Sequence, residues 1–391
     1  MAKVTPGIEN LIIHSHEWIL GNRIGLLCNP ASIDSNYRHA KHLLNRTFPE
    51  QLTALFSPQH GIFAEKQDNM IESPHAVDPQ LGIPVFSLYG ETRIPTPEMF
   101  EHIDLLIIDL LDAGTRVYTF TSTLSYCLET AAKLNKRVLI LDRPNPVGGI
   151  QVEGNCLSPQ VSSFVGRYPI PMRHGLTMGE YATYINEMFH IHCSLDIIPM
   201  TGWDRPMYFQ DTGLPWVLPS PNLPTPNSAI VYPGQVIWEG TNVSEGRGTA
   251  LPFEQFGAPF IDIDKLLSFM GSDHIPGAIL RPVAFEPTFN KWAGQVCYGF
   301  QIHVTDPYRF LPYQTSLKLL QGIIHHHQDR FQWKSPPYEY EWEKLPIDMI
   351  VGSSTIRQQL ENLDDLASIE KGWADELAEY ETAAAKFHLY E

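Results

Sequence analysis

Residues 104–111 of this 391-residue chain, DLLIIDLL, give the clearest indication of its fold. This stretch is nearly all apolar, shows no polar alternation, and is followed at once by the polar, glycine-marked phrase Asp112-Ala113-Gly114. A short apolar run that ends at a turn signal is typical of a strand buried on both faces. The stretch therefore predicts a parallel sheet that is covered by helices on both sides.

Five further segments have the same form, the last of them less clearly: residues 23–28, 52–56, 84–88, 137–141 and 195–200. Helical patterns lie between them, for example at residues 123–135 and 177–190. We therefore predict a Rossmann-like parallel α/β domain over residues 1–205. A second, smaller α/β or α+β domain with Pro/Gly-rich cleft loops is predicted over residues 206–391, with strand-like residues at 282–304 and helices at 311–328 and 375–388.

Composition narrows the classes of partner. The formal net charge is −17 and the pI is near 5.3, so a nucleic-acid partner is not expected. No apolar run has the length of a membrane span, and no membrane partner is expected. The five cysteines are scattered without a CxxC pair, which supports neither a disulfide framework nor a metal site. We expect a soluble, cytoplasmic protein of open oligomeric state, although a chain that had lost a signal peptide would look the same.

Nucleotide-binding motifs are missing from the predicted sheet. The first strand ends in Cys28-Asn29-Pro30 rather than in GxGxxG, and the chain has no GxxxxGK[ST] phrase. The Rossmann-like sheet is therefore predicted to work without a dinucleotide or a nucleoside triphosphate.

Polar residues follow the predicted strands at their carboxyl ends. In parallel α/β sheets the ligand crevice lies outside these ends, so the residues are expected to meet at one edge of the sheet. They are His60, Asp112, Arg116, Asp142, Arg143 and Asn145.

A second polar segment is WEGTNVSEGRGTALPF, residues 238–253. Its three glycines interrupt any helix or strand pattern, so the polar residues are predicted to lie on loop or turn backbone. Polar groups on a Gly-rich loop favour a binding or catalytic site over a core. These residues are Glu239, Asn242, Glu245 and Arg247.

Long phrases in a fixed order carry a resemblance to a known family. They include LFSPQHG, SLYGETRIPTPEM, DLLDAGTRVYTF, LDRPNPVGG, SFVGRYPIPMRHGLTMGE, GLPWVLPSPNLPT and EGTNVSEGRGTALPFEQFGAP. Together they run from about residue 20 to the C-terminus, and the chain resembles the DUF1343 family, which includes exo-β-N-acetylmuramidases of the NamZ type. The resemblance implies a bacterial glycoside hydrolase of peptidoglycan and cell wall recycling. It would release β-linked N-acetylmuramic acid in a cleft between two domains, with no metal and no other cofactor.

One departure from the family pattern concerns the catalytic carboxylate. Relatives commonly read PEHG after the second strand, whereas this chain has Gln59 before His60, and a Gln side chain cannot act as an acid or base. Three alternatives remain open: Glu65 takes over the role, another carboxylate does the chemistry, or the activity differs. We predict Glu65 and Glu239 as catalytic residues, together with His60, since glycoside hydrolysis uses two carboxyl groups or one carboxylate with the substrate's own acetamido group.

Arginines are the candidates for the lactyl carboxylate of muramic acid, because a guanidinium binds a carboxylate through two parallel hydrogen bonds. The candidates are Arg116, Arg143, Arg173 and Arg247. Each could instead form a structural ion pair, as Arg247 could with Glu245. Further predicted substrate-binding residues are Asp112, Tyr118, Asn145, His174, Asn222, Asn242 and Glu245, although Asp112 could cap a helix and the asparagines could shape turns. The alternative functions are a hydrolase of another amino sugar or wall glycopeptide, and a non-catalytic glycan-binding protein.

Overall fold

The structure is a computed structural model that describes residues 4–14, 17–68, 70–271 and 275–391. Twelve strands lie in this described part: β1 (Ile24–Cys28), β2 (Leu52–Ser57), β3 (Ala76–Val77), β4 (Pro84–Ser87), β5 (Leu105–Asp109), β6 (Arg137–Leu141), β7 (Glu153–Cys156), β8 (Pro171–Arg173), β9 (Ser194–Ile198), β10 (Gln255–Ala258), β11 (Ala278–Phe285) and β12 (Cys297–Val304). The described part has twelve α-helices: α1 (Gly7–Ile13), α2 (Ala40–Thr47), α3 (Pro97–Phe100), α4 (Phe120–Lys133), α5 (Met178–Met188), α6 (Pro226–Gln235), α7 (Ile263–Met270), α8 (Pro312–His326), α9 (Pro346–Val351), α10 (Ser354–Glu361), α11 (Leu366–Lys371) and α12 (Ala374–Ala384).

The predicted parallel sheet is confirmed. Its strand order is β3-β4-β2-β1-β5-β6-β9, and every neighbouring pair is parallel except the short edge strand β3 against β4. All six strands that the sequence predicts are present, within three residues at each end. The stretch 104–111 forms β5, which lies in the interior of the sheet between β1 and β6.

Alternation along β5 explains why its first four residues, 105–108, are all apolar. Leu105 and Ile107 pack into one hydrophobic cluster with α1 and α2. Leu106 and Ile108 pack into a second cluster with α4 and α5 on the opposite face. Successive strand residues point to opposite faces of a sheet, so a strand covered on both sides carries apolar residues on both faces.

The second half of the chain has its own antiparallel sheet, with order β10-β12-β11. Helices α6 and α8 pack against each other beside it, and their apolar residues belong to the same cluster as α4 and α5. The predicted α/β architecture with a second domain is therefore confirmed, whereas the boundary between residues 205 and 206 stays a prediction.

The last residues of the chain return to the first half. The hydroxyl of Tyr390 donates to Asp142 Oδ2 at 2.6 Å, just after β6, and the backbone N–H of Leu389 donates to Glu180 Oε1 at 2.9 Å. Asp142 also accepts from the Thr177 hydroxyl and from the Gly179 N–H. Burial raises the pKa of Asp142 to about 6 although these donors oppose the shift.

We expect Tyr390→Phe to lower the free energy of unfolding by about 1.5–3 kcal/mol, because it removes one hydrogen bond to a buried carboxyl group. Urea unfolding checks this, with Tyr298→Phe on the exposed side of β12 as the matched control. Equal stability of the two variants would show that the C-terminal end does not anchor the fold.

Candidate functional site

A closed polar pocket lies where the loops after β2 and β5 meet loops of the second half. The first half contributes Gln59, His60, Tyr118 and Thr119, and the second half contributes Asn222, Tyr232, Glu239, Arg247, Tyr338 and Glu339. Its cavity has a volume of about 40 Å³. All of these residues are buried, so the pocket is well shielded from solvent.

Glu239 is a buried carboxylate of the pocket wall that is stabilised by Arg247 and Tyr338. It is 5% exposed, its Oε1 lies 2.6 Å from Arg247 Nη2, and its Oε2 accepts from the Tyr338 hydroxyl at 2.6 Å. Burial alone would raise the pKa of Glu239, but the Arg247 charge and these hydrogen bonds outweigh it and the pKa lies below the ordinary value. Glu239 is therefore an ionised carboxylate at neutral pH.

Arg247 links Glu239 to a second carboxylate. Its Nε lies 3.0 Å from Glu245 Oε1, without the alignment of a hydrogen bond, and Glu245 Oε2 is 2.8 Å from Lys291 Nζ. Two cations and two carboxylates thus compensate each other below the pocket wall. Arg247 Nη1 has no hydrogen-bond partner among the described residues, so one donor of this guanidinium remains for a ligand.

Glu339 is a second buried carboxyl group in the pocket wall, and the sequence did not predict it. It is 4% exposed, its Oε1 accepts from Gln59 Nε2 at 3.0 Å, and its Oε2 accepts from the Tyr89 hydroxyl at 2.6 Å. Burial raises the pKa of Glu339 to about 7 although these two hydrogen bonds oppose the shift. The nearby charge of Glu239 raises the pKa of Glu339 further.

A tight turn brings Glu339 into the pocket. Tyr338 and Glu341 exchange backbone hydrogen bonds, and both residues between them have positive φ, at 47° for Glu339 and 65° for Tyr340. Hairpin turns of type I′ use this combination and usually contain Asn or Gly there. The sequence YEYE has neither, so no turn signal pointed to Glu339.

His60 lines the pocket as a neutral imidazole. Its Nδ1 lies 2.9 Å from the Lys66 carbonyl oxygen, which can only accept, so Nδ1 carries the proton and Nε2 is an acceptor. Burial first, and then the charge of Arg247, lower the pKa of His60 to about 4.

Tyr118 and Asn222 also reach the pocket. Tyr118 packs edge-to-face on Tyr232, with ring centroids 5.7 Å apart. The Asn222 amide lines the pocket and donates to the Gln67 carbonyl at 2.7 Å.

Glu65 lies outside the pocket lining. Its side chain is exposed, and its Oε2 accepts from the Phe63 N–H at 3.3 Å. Glu239 lies in a 3₁₀ helix, Val236–Gly240, so the prediction of loop or turn backbone is wrong for this residue. Gly240 is the last residue of that short helix and therefore does not interrupt it. Asn242, Glu245 and Arg247 do lie on irregular backbone.

Several other predicted site residues have structural partners away from the pocket. Arg143 pairs with the buried Asp109, and Asn145 shapes a turn through the Val147 N–H and the Leu176 carbonyl. Asp112 accepts from the Gly114 N–H and lies 3.5 Å from His174 Nε2. Arg173 donates to the backbone carbonyl of Val147, and Asn242 donates to the backbone carbonyl of Arg330.

Arg116 is buried, and among the residues that the structure describes it has no carboxylate partner. Its guanidinium donates to three backbone carbonyls, those of Asn155, Ile170 and Ile350, each at 3.0 Å. The last of these lies in α9, so the side chain joins the two halves of the chain. Burial lowers the pKa of Arg116.

We expect Arg116→Lys to lower the free energy of unfolding by about 2–4 kcal/mol, because a lysine cannot reach three carbonyls with the planar fork of a guanidinium. Urea unfolding checks this, with the exposed Arg137→Lys as control. Unchanged stability combined with lost sugar binding would instead place Arg116 in the substrate site.

Cofactor and membrane features are few. Among the described residues, no three His, Cys, Asp or Glu side chains are grouped so that they could hold a metal ion. In the same part of the chain, no helix is long and apolar enough to cross a bilayer.

Comparison with known proteins identifies the family of this chain. Residues 24–227 match the N-terminal and residues 230–390 the C-terminal family model of the exo-β-N-acetylmuramidase NamZ. The peptidoglycan β-N-acetylmuramidase NamZ of Bacillus subtilis (strain 168) is 40% identical over 388 residues, which cover 99% of this chain and 92% of that protein.

Two solved structures of DUF1343 family proteins from Bacteroides fragilis NCTC 9343 have the same fold. One has a TM-score of 0.89 at 32% identity and is covered completely. The other has a TM-score of 0.78 at 26% identity with 99% of it covered, and both matches cover the whole of this chain. The chain therefore belongs to the NamZ family of exo-β-N-acetylmuramidases, which are glycoside hydrolases.

Proposed function

We propose that the closed pocket around Glu239 and Arg247 binds the terminal N-acetylmuramic acid of a peptidoglycan fragment and that its β-glycosidic bond is hydrolysed there. The exo-β-N-acetylmuramidase activity itself follows from family membership and from the full-length similarity to the Bacillus subtilis enzyme. What we propose is the place in the structure where this reaction occurs. The proposal rests on one observation: Glu239 is a buried, ionised carboxylate in the wall of a pocket at the carboxyl edge of the sheet.

Glu239 suits two roles at this position. Its charge can stabilise the positive charge that develops at the anomeric carbon in the transition state. Where the acetamido carbonyl of the substrate is the nucleophile, the same carboxylate can orient the acetamido N–H. Both roles need an ionised group, and Arg247 with Tyr338 keeps Glu239 ionised.

Arg247 is the proposed contact for the lactyl carboxylate. Among the four arginines that the sequence singled out, it is the one that lines the pocket, and its Nη1 retains a free donor. His60 Nε2, the Asn222 amide and the face of Tyr118 are proposed to contact hydroxyl, acetamido and ring atoms of the sugar. The sugar-bound walls would exclude water and strengthen each of these contacts.

The predicted cytoplasmic location, the absence of nucleic-acid and membrane partners and the oligomeric state stay predictions. A peptidoglycan-derived sugar is the substrate that the family implies.

We expect wild-type protein to release para-nitrophenol from para-nitrophenyl β-N-acetylmuraminide, and Glu239→Gln to lower kcat/KM by at least about a hundredfold. Thermal unfolding confirms that the variant is folded, and the exposed Glu343→Gln is the control. A hundredfold loss in Glu65→Gln, with Glu239→Gln active, would transfer the role to Glu65. No turnover by folded wild type would refute the proposed site and substrate.

We expect Arg247→Lys to lower the preference for the muraminide over the matching β-N-acetylglucosaminide by about 10–100-fold, because lysine keeps the charge but lacks the donor that Nη1 supplies. The ratio of kcat/KM for the two aryl glycosides measures this. An unchanged ratio in a folded variant would show that another group recognises the lactyl carboxylate.

A further inference from the structure

We propose that Glu339 is the general acid that protonates the glycosidic oxygen, a role that rests on the proposed function of this pocket. The residue lines the same pocket as Glu239 and reaches it through a turn of the second half of the chain. Nothing in the phrases that carry the family resemblance includes it.

Contacts from the first half hold the Glu339 carboxyl group in place. Gln59 Nε2 donates to one oxygen, and the Tyr89 hydroxyl donates to the other. The Gln59 side-chain oxygen accepts from the Thr119 hydroxyl at 2.7 Å, which fixes the amide with its NH₂ group toward Glu339. These residues follow β2, β4 and β5, so three strand ends support one carboxyl group.

The amide at position 59 is compatible with a carboxyl group at position 339, whereas a carboxylate at position 59 would not be. A carboxylate at that position would place two acidic groups within hydrogen-bonding distance, and one of them would have to stay protonated. An amide avoids this repulsion and donates a hydrogen bond instead. The carboxyl group of the reaction is thereby carried by Glu339, while position 59 orients it.

The environment of Glu339 favours the protonated acid. Burial is the largest influence, and the negative charge of Glu239 acts in the same direction. Arg93 and the two hydrogen bonds act in the opposite direction. The ionisable groups around the carboxyl group are Tyr89, Arg93, Glu239 and Tyr338, and His60 and Arg247 line the same pocket.

The proposed step is a proton transfer coupled to bond cleavage. The Glu339 carboxyl proton moves to the glycosidic oxygen as the C1–O bond breaks, and the bonding electron pair leaves with the aglycone as an alcohol. The oxygen of a water molecule takes its place at C1. The proton that this water releases returns Glu339 to its acid form, so the net reaction consumes one water.

Two substrates with different leaving groups test this role in Glu339→Gln. We expect kcat/KM for a disaccharide with β-linked N-acetylmuramic acid to fall by about 10²–10⁴-fold, because the oxygen of the second sugar is a poor leaving group until it is protonated. The para-nitrophenyl glycoside should lose less than about tenfold, since a phenolate leaves without a proton. Glu343→Gln, on the exposed side of the same segment, is the control.

The pH profile gives a second readout. The wild-type kcat/KM for the disaccharide should fall as pH rises through about 7, where Glu339 loses its proton. Tyr89→Phe removes a hydrogen bond that favours the ionised form, so this alkaline limb should move to higher pH. A merely structural role of Tyr89 would lower activity without moving the limb.

Three outcomes decide the proposal. Preferential loss of disaccharide hydrolysis in Glu339→Gln, with the shifted limb in Tyr89→Phe, supports it. Equal loss of both substrates, or no loss, in a folded variant with active wild type overturns the role of Glu339 alone. Wild type that cleaves neither substrate overturns the proposed function, and the role of Glu339 with it.

Discussion

Two carboxyl groups, Glu239 and Glu339, are buried in one pocket, and the fold has to give each of them a different environment. Two like charges at close range in a poorly hydrated site cannot both be stable. Glu239 receives Arg247 and the Tyr338 hydroxyl, whereas Glu339 receives two neutral donors, Gln59 and Tyr89. The first group stays ionised and the second keeps its proton to about pH 7. Glycoside hydrolysis needs this asymmetry between an acid and a charged partner.

The rest of the fold positions the groups around these two carboxyl groups. The parallel sheet places the residues after β2, β4 and β5 at one edge, and the second half supplies both carboxyl groups across the pocket. Arg116 ties the two halves together through the carbonyl of Ile350, and Tyr390 fastens the C-terminal end to Asp142. These contacts join the parts of the chain that form the two sides of the pocket.

Sequence reasoning predicted the elements with strong local signals. The six parallel strands follow from apolar runs. The Gly-rich segment led to Glu239 and Arg247, which both line the pocket, although Glu239 lies in a 3₁₀ helix rather than in a loop. The roles of charged residues at strand ends were more difficult to predict from the sequence. Arg143 and Asp112 lie beside buried groups that are distant in the sequence and that only the fold brings near. Glu339 was not predicted as a site residue, because its turn has no glycine and its partner Gln59 lies 280 residues away in the sequence. The one available signal was the amide at position 59, which implies a polar neighbour elsewhere.

Direct titration of the carboxyl groups tests the central claim, the opposite protonation states of Glu239 and Glu339. Protein labelled with ¹³C at the glutamate side-chain carboxyl carbon can be followed by NMR from pH 4 to 9, in wild type and in Glu339→Gln. We expect a resonance that titrates near pH 7 in wild type and is missing from the variant, while the Glu239 resonance titrates below the ordinary glutamate pKa. A Glu339 resonance that titrates near the ordinary glutamate pKa of about 4.3 would contradict this claim.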